Sequence, residues 1–272
     1  MNTTNGSQIP FTGIQRQYNT LREEILDVTD QVLASGRLMD GQNTADFEAW
    51  LAAKNHSSYA AVCHSGTQAL EIIASFAKDR IGINPPTVLM PAMTFPASAN
   101  AFIRAGWNIH FADTNAYGIM DFDKVDRSQS YQAVLGIGLY GAALSNKFQY
   151  QTGLIEDAAQ HWLADNCKRF GMAAAISFDP MKNLGNYGNG GAIVTDDREL
   201  YNYARGWTNN GKNTAHAEVG TNSRMSEVDC AQLMVKARRL GDWQNVRRSI
   251  VLYWMDRFKN SSIRCLINET NF

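Results

Sequence analysis

Cysteine is scarce. Cys63, Cys167, Cys230 and Cys265 are the four in 272 residues, far apart and without a CxxC pair. That spacing argues against a metal or disulfide framework and fits a reducing compartment. Net charge is nearly absent, at -1, and no basic run or basic–aromatic stripe occurs. Nothing therefore points to nucleic acid or an anionic membrane. No apolar run approaches the roughly 20 residues that cross a bilayer. The polar start, Met1-Asn-Thr-Thr-Asn-Gly-Ser7, lacks the basic-then-apolar order of a signal peptide. No repeat or low-complexity tract is visible. A soluble cytoplasmic protein is expected.

What is present is apolar residue in periodic blocks. Hydrophobic residues make up 44% and charged residues 19%, enough for a sizeable core in one large domain, alone or with a small appendage. Ile14, Tyr18, Leu21, Ile25, Val28 and Val32 have helical spacing, ended by Ser35-Gly36. Gly41 breaks the chain again, and Asn43 or Thr44 is the expected cap of a second helix holding Phe47, Trp50 and Leu51. Short apolar runs then alternate with helical ones. Strands are expected at 59–63, 87–90, 107–111, 131–135, 153–155, 173–178 and 192–195, with helices at 97–105 and 197–210. Gly211–Thr221 reads as a loop. Ser226 with Asp229 forms a capping-box pattern opening a helix through Leu233, Ala237 and Leu240. A last amphipathic helix spans 242–259. This alternation predicts an α/β fold with a largely parallel sheet. Ligands of such sheets sit beyond the carboxyl ends of the strands, where Ser65, Thr94, Asp157 and Ser177 all fall.

Lys182 stands in a glycine-rich turn between two of these strands. A buried lysine loses proton affinity, and a neutral amine can attack a carbonyl; a turn lysine can equally be solvated. Ser65-Gly66-Thr67 lies between a strand and a helix. It suits a phosphate, since helix N-termini bind anions, or it is plain capping. Asp157 is a ring-nitrogen partner or a helix cap. Ser177 is a phosphate donor or a satisfied core hydroxyl. Phe95 stacks on a flat ring or belongs to the core. Together, a phosphate cradle, a carboxylate, an aromatic and a reactive lysine are what pyridoxal 5′-phosphate (PLP) requires of a protein.

In order and spacing the chain resembles the DegT/StrS-type sugar aminotransferases, which are fold-type-I PLP enzymes. The resemblance runs from about Gln15 to Tyr253. It is carried by Ser35–Gly41, Ser65–Leu70, Pro91–Pro96, Leu139–Gly141, Ile155–Gln160, Ser177–Lys182, Gly190-Gly191 and Thr221–Ser226.

The resemblance implies a role for each matched residue. Lys182 would bind PLP covalently and move protons, and Asp157 would pair with the pyridine nitrogen. Gln160 would contact the ring hydroxyl region, and Phe95 would stack on the ring. Ser65, Gly66, Thr67 and Ser177 would hold the phosphate. Asn222 would reach across a homodimer interface to the neighbour's phosphate. The implied reaction moves an amino group from an amino acid, glutamate by expectation, to a nucleotide-linked keto-sugar for surface polysaccharide or related amino sugars. Lysine rather than histidine at 182 favours transamination over the dehydration done by a related branch. A non-catalytic PLP-binding or dimerising homologue is the alternative. Residues 1–245 are expected to form the PLP-binding domain. Residues 246–272 would be the helical stump of a smaller C-terminal domain that family members possess.

Overall fold

The computed structural model describes residues 10–126, 128–144, 146–151, 153–164, 171–212, 215 and 219–263. Cys167, Cys265, the first nine residues and parts of the 160–177 and 211–221 loops lie outside that set. The elements in order are α1 (Ile14–Ser35), α2 (Gln42–Lys54), β1 (Tyr59–Cys63), α3 (Gly66–Ile81), β2 (Thr87–Pro91), α4 (Pro96–Arg104) and β3 (Asn108–Ala112). After these come β4 (Ala133–Ile137), β5 (Leu154–Asp157), β6 (Ala173–Ser177), β7 (Gly191–Thr195), α5 (Arg198–Trp207), α6 (Glu227–Ala237) and α7 (Leu240–Phe258).

The strands form one sheet in the order β1-β7-β6-β5-β4-β2-β3. The pairs β2/β3, β2/β4, β4/β5 and β5/β6 are parallel, whereas β7 is antiparallel to both neighbours, β6 and β1. Six strands therefore share one direction and β7 alone opposes them. The carboxyl ends of β1, β2, β4, β5 and β6 consequently meet at one edge, beside the start of β7.

Helices cover both faces, so the strands bury both sets of side chains. Ala61, Cys63, Ala173, Ala175 and Ile193 pack on one face with Leu70, Ile73 and Phe76 of α3. The alternate positions, Ala60, Val62, Ala174, Ile176 and Val194, pack on the other with Phe47 of α2 and Leu233 of α6. Leu21 and Ile25 of α1 lie outside that layer, against Val235. Among the described residues no helix is long and apolar enough to cross a membrane.

Several local expectations are corrected. Neither Asn43 nor Thr44 caps α2; both lie in its first turn, and the N-cap is Gly41, which has no side chain to offer. Glu227 does the capping from the start of α6. Its carboxylate accepts the N–H groups of Gly41 at 2.8 Å, Asn43 at 2.9 Å and Thr44 at 2.9 Å, and the Thr44 hydroxyl. A helix N-terminus leaves such donors unpaired, and a carboxylate satisfies them and the dipole together. The capping box at Ser226 and Asp229 is present. The helix it opens stops at Ala237, and Leu240 starts a new one. The helix expected over 197–210 is shorter, with Asp197 as its cap.

Candidate functional site

The register along the sheet edge brings the sequence-predicted residues together. Ser177 at the end of β6 lies opposite Gly191, which lies opposite Cys63 at the end of β1. Asp157 at the end of β5 is opposite Ala175 on one side and Ile137 on the other. Loops leaving these ends enclose a cavity of about 810 Å3. Ser65, Gly66, Thr67, Phe95, Asp157 and Gln160 line it, as do Ser177 and Lys182.

At one end is the start of α3. The Ser65 hydroxyl accepts the Gln68 N–H at 3.2 Å. The preceding N–H groups, of Gly66 and Thr67, are first-turn donors without an intrahelical partner. Capping and anion binding are thus compatible here, because they use different donors. Space enforces glycine. A Cβ on Gly66 would stand 2.7 Å from Ser177 Cβ, and one on Gly191 would run into the Ser65 carbonyl carbon. Helix, Ser177 and β7 are in backbone contact, a narrow cradle of donors that suits a phosphate.

At the middle of the edge, Asp157 does not cap an α-helix; a turn follows it. Its Oδ2 accepts the Ser98 hydroxyl at 2.6 Å and its Oδ1 accepts the Ala159 N–H at 3.2 Å. Ser98 also meets the Thr94 hydroxyl at 2.9 Å. The carboxylate is thereby fixed at the cavity wall. Gln160 Oε1 accepts the Tyr140 N–H at 2.6 Å, leaving its amide N–H groups as donors. Phe95 is not core: it is 64% exposed and stands at the cavity as the residue just before α4.

Lys182 is half-buried. Its backbone is held by a turn in which its N–H donates to the Asp179 carbonyl at 2.8 Å, and Met181 N–H donates to the Asp179 carboxylate at 2.9 Å. Among the described residues its Nζ has no hydrogen-bond partner. A fixed backbone with an uncommitted amine facing a cavity is the geometry a covalent cofactor lysine needs. Asn222 does not join this group. It is exposed, bridges Asn209, and is not part of the cavity wall.

The sequence matches the DegT/DnrJ/EryC1/StrS aminotransferase family over residues 19–271. The chain belongs to this family. A Streptomyces venezuelae relative, dTDP-3-amino-3,4,6-trideoxy-alpha-D-glucose transaminase, is 33% identical over 258 residues, covering 89% of this chain and 67% of that protein. The structure of S. venezuelae DesV superposes with a TM-score of 0.84 at 30% identity, over 93% of this chain and 71% of that one. Bacillus subtilis NtdA, solved with its cofactor PMP bound, gives 0.76 at 28% identity, over 88% and 58%. Aminotransferases of this family depend on PLP, and the cradle, carboxylate and lysine of this chain fit that group.

The family site rests on residues that sequence reading missed. Among the described residues Lys236 of α6 is the deeply buried lysine, 1% exposed. Its Nζ donates to the Gly185 carbonyl at 2.6 Å and lies 3.4 Å from the centre of the Tyr187 ring. It thus anchors the turn that carries Lys182. Asp229 anchors the same turn through the Asn186 side-chain amide at 2.7 Å. A second buried pair lies under the β4 end, where His161 Nδ1 accepts the Gly138 N–H at 3.2 Å and Nε2 is 3.6 Å from Glu156. No periodic signal marks either pair, since each joins residues separated by loops.

Burial pushes the Lys236 ammonium down from 10.5 to about 8. Below about pH 8 the folded and unfolded chains are both protonated, and the full cost of burying the cation is present. Between about 8 and 10.5 the unfolded chain binds more protons, so this residue's contribution to stability improves as pH rises. The difference corresponds to about 3 kcal/mol at most. The stability difference between wild type and Lys236→Met, followed by urea melts, should shift toward wild type from pH 8 to 10. A difference independent of pH would contradict the assignment.

Proposed function

We propose that this chain transfers an amino group from an amino acid, L-glutamate, to a nucleotide-linked keto-sugar, in the formation of amino sugars for surface polysaccharide. The observation that carries this reading is that Lys182, Asp157 and the start of α3 face one cavity at the carboxyl edge of the sheet. When bound, PLP supplies an electrophilic carbonyl and a ring that withdraws electrons. Lys182 Nζ would hold it, and its amine would take the proton from the donor's α-carbon and return one in the second half of the exchange. Asp157 would keep the ring nitrogen protonated. Gly66, Thr67, Ser65 and Ser177 would hold the phosphate, Phe95 would pack on the ring, and the Gln160 amide would donate to the ring hydroxyl.

In this reading residues 1–245 are the cofactor-binding unit, and residues 246–272 are the helical stump of a smaller second unit. The protein acts in the cytoplasm as a homodimer in which Asn222 completes the neighbour's phosphate site. Its exposed position outside its own cavity supports a role in trans. Asn222→Ala should weaken PLP binding about tenfold, the loss of roughly one charge-assisted hydrogen bond, with an unchanged melting temperature. Equal PLP affinity in that variant would remove the shared-site argument.

The reaction is tested by supplying PLP-loaded protein with L-glutamate and a panel of nucleotide-linked keto-sugars, with products read by mass spectrometry. Stoichiometric 2-oxoglutarate and amino-sugar are expected. Release of 2-oxoglutarate with every keto-sugar left intact would contradict the acceptor class.

A further inference from the structure

The face that α7 turns to the cavity is mostly polar, and its other face is apolar. Gln244, Arg247, Arg248 and Val251, spaced i, i+3, i+4 and i+7, line the cavity. Val246, Ile250, Tyr253 and Trp254, on the other side, are exposed to solvent. Helices at a protein surface ordinarily turn the apolar stripe inward. Arg247 is itself exposed at the cavity mouth, so its guanidinium is open to a polar ligand that enters there.

The charge balance says which kind. Arg247 Nη1 donates to Gln244 Oε1 at 2.7 Å, and among the described residues the Arg247 guanidinium makes no ion pair. Gln244 therefore orients the group without neutralising it. The two carboxylates that line the cavity, Asp157 and Asp179, are already engaged by Ser98 and by the Met181 N–H. Arg248 lines the same wall. The phosphate cradle at the start of α3 is built from different elements and uses neutral donors.

From this we infer that Arg247, oriented by Gln244 and flanked by Arg248, is a substrate oxyanion subsite. It takes either a carboxylate of the amino donor or a phosphate oxygen of the nucleotide-linked sugar. A planar guanidinium matches both by paired N–H···O bonds. The inference rests on the aminotransferase reading, which requires both anionic substrates to enter this cavity.

The test measures binding of dTDP and of glutarate, separately, to the PLP-loaded protein by isothermal titration calorimetry, for wild type, Arg247→Ala and Arg247→Lys. Removing a guanidinium from a paired anion is expected to weaken binding about 30-fold or more, with partial recovery in the lysine variant. A loss confined to dTDP assigns the phosphate, and a loss confined to glutarate assigns the carboxylate. Unchanged affinity for both probes in Arg247→Ala, or no binding of either to wild type, would overturn the subsite. The visible absorbance of the bound cofactor is recorded on the same samples. It depends on Lys182 and not on Arg247, so failure of the cofactor reading shows as a missing band, apart from any failure of the subsite.

Discussion

Lys182→Ala should lower amino-transfer turnover by about 10^2–10^4-fold, the range for removing a group that moves protons at the reacting atom. The side chain is uncommitted in the fold. It is half-buried, and its Nζ has no hydrogen-bond partner among the described residues. The turn is held instead by its own backbone, by Lys236 at Gly185 and by Asp229 at Asn186. The variant should thus melt within about 0.5 kcal/mol of wild type, as substitutions away from packed features do. Steady-state release of 2-oxoglutarate beside a thermal melt checks both halves. Turnover near wild type would remove Lys182 from the chemistry.

Asp157→Asn should cost about 10–10^3-fold in turnover while leaving the cofactor bound. A carboxylate near a protonated base moves its pKa by 1–3 units, and each unit is tenfold in the protonated population. Asparagine is nearly isosteric: its oxygen can keep the Ala159 N–H that Asp157 accepts at 3.2 Å, while its amide N–H donates to the Ser98 hydroxyl oxygen, whose own hydrogen can turn to Thr94. Loss of charge rather than loss of packing is therefore what the variant reports. A pH profile of turnover separates the two: restored activity at low pH, where the ring nitrogen is protonated without help, marks the charge effect. Unchanged turnover at neutral pH would contradict the role.

The edge residues were legible because each follows a short apolar run. Ser65, Asp157 and Ser177 sit where a strand pattern gives way to polar or glycine residues, and in a parallel sheet those places converge. The glycines at 66 and 191 were legible as punctuation, but the backbone contact that requires them was not. The reversal of β7 was invisible, since a buried strand reads the same in either direction. Phe95 could be weighed only as an aromatic, because its exposure depends on where the loop before α4 turns. Lys236 and Glu227 were missed for a common reason. Both are charged residues on helices, a position that is ordinarily solvated, and their partners at Gly185 and Gly41–Thr44 are brought near only by folding. The last helix was legible as amphipathic, but not which of its faces lines the cavity.

The central claim is that Lys182 holds the cofactor in the cavity at the sheet edge. Its most direct test is the visible absorbance spectrum of wild type and Lys182→Ala after loading with PLP and desalting, before and after L-glutamate. The expected result is a visible band in wild type that survives desalting and bleaches with glutamate, and no such band in the variant. An identical band in the variant, or none in wild type, would contradict the claim.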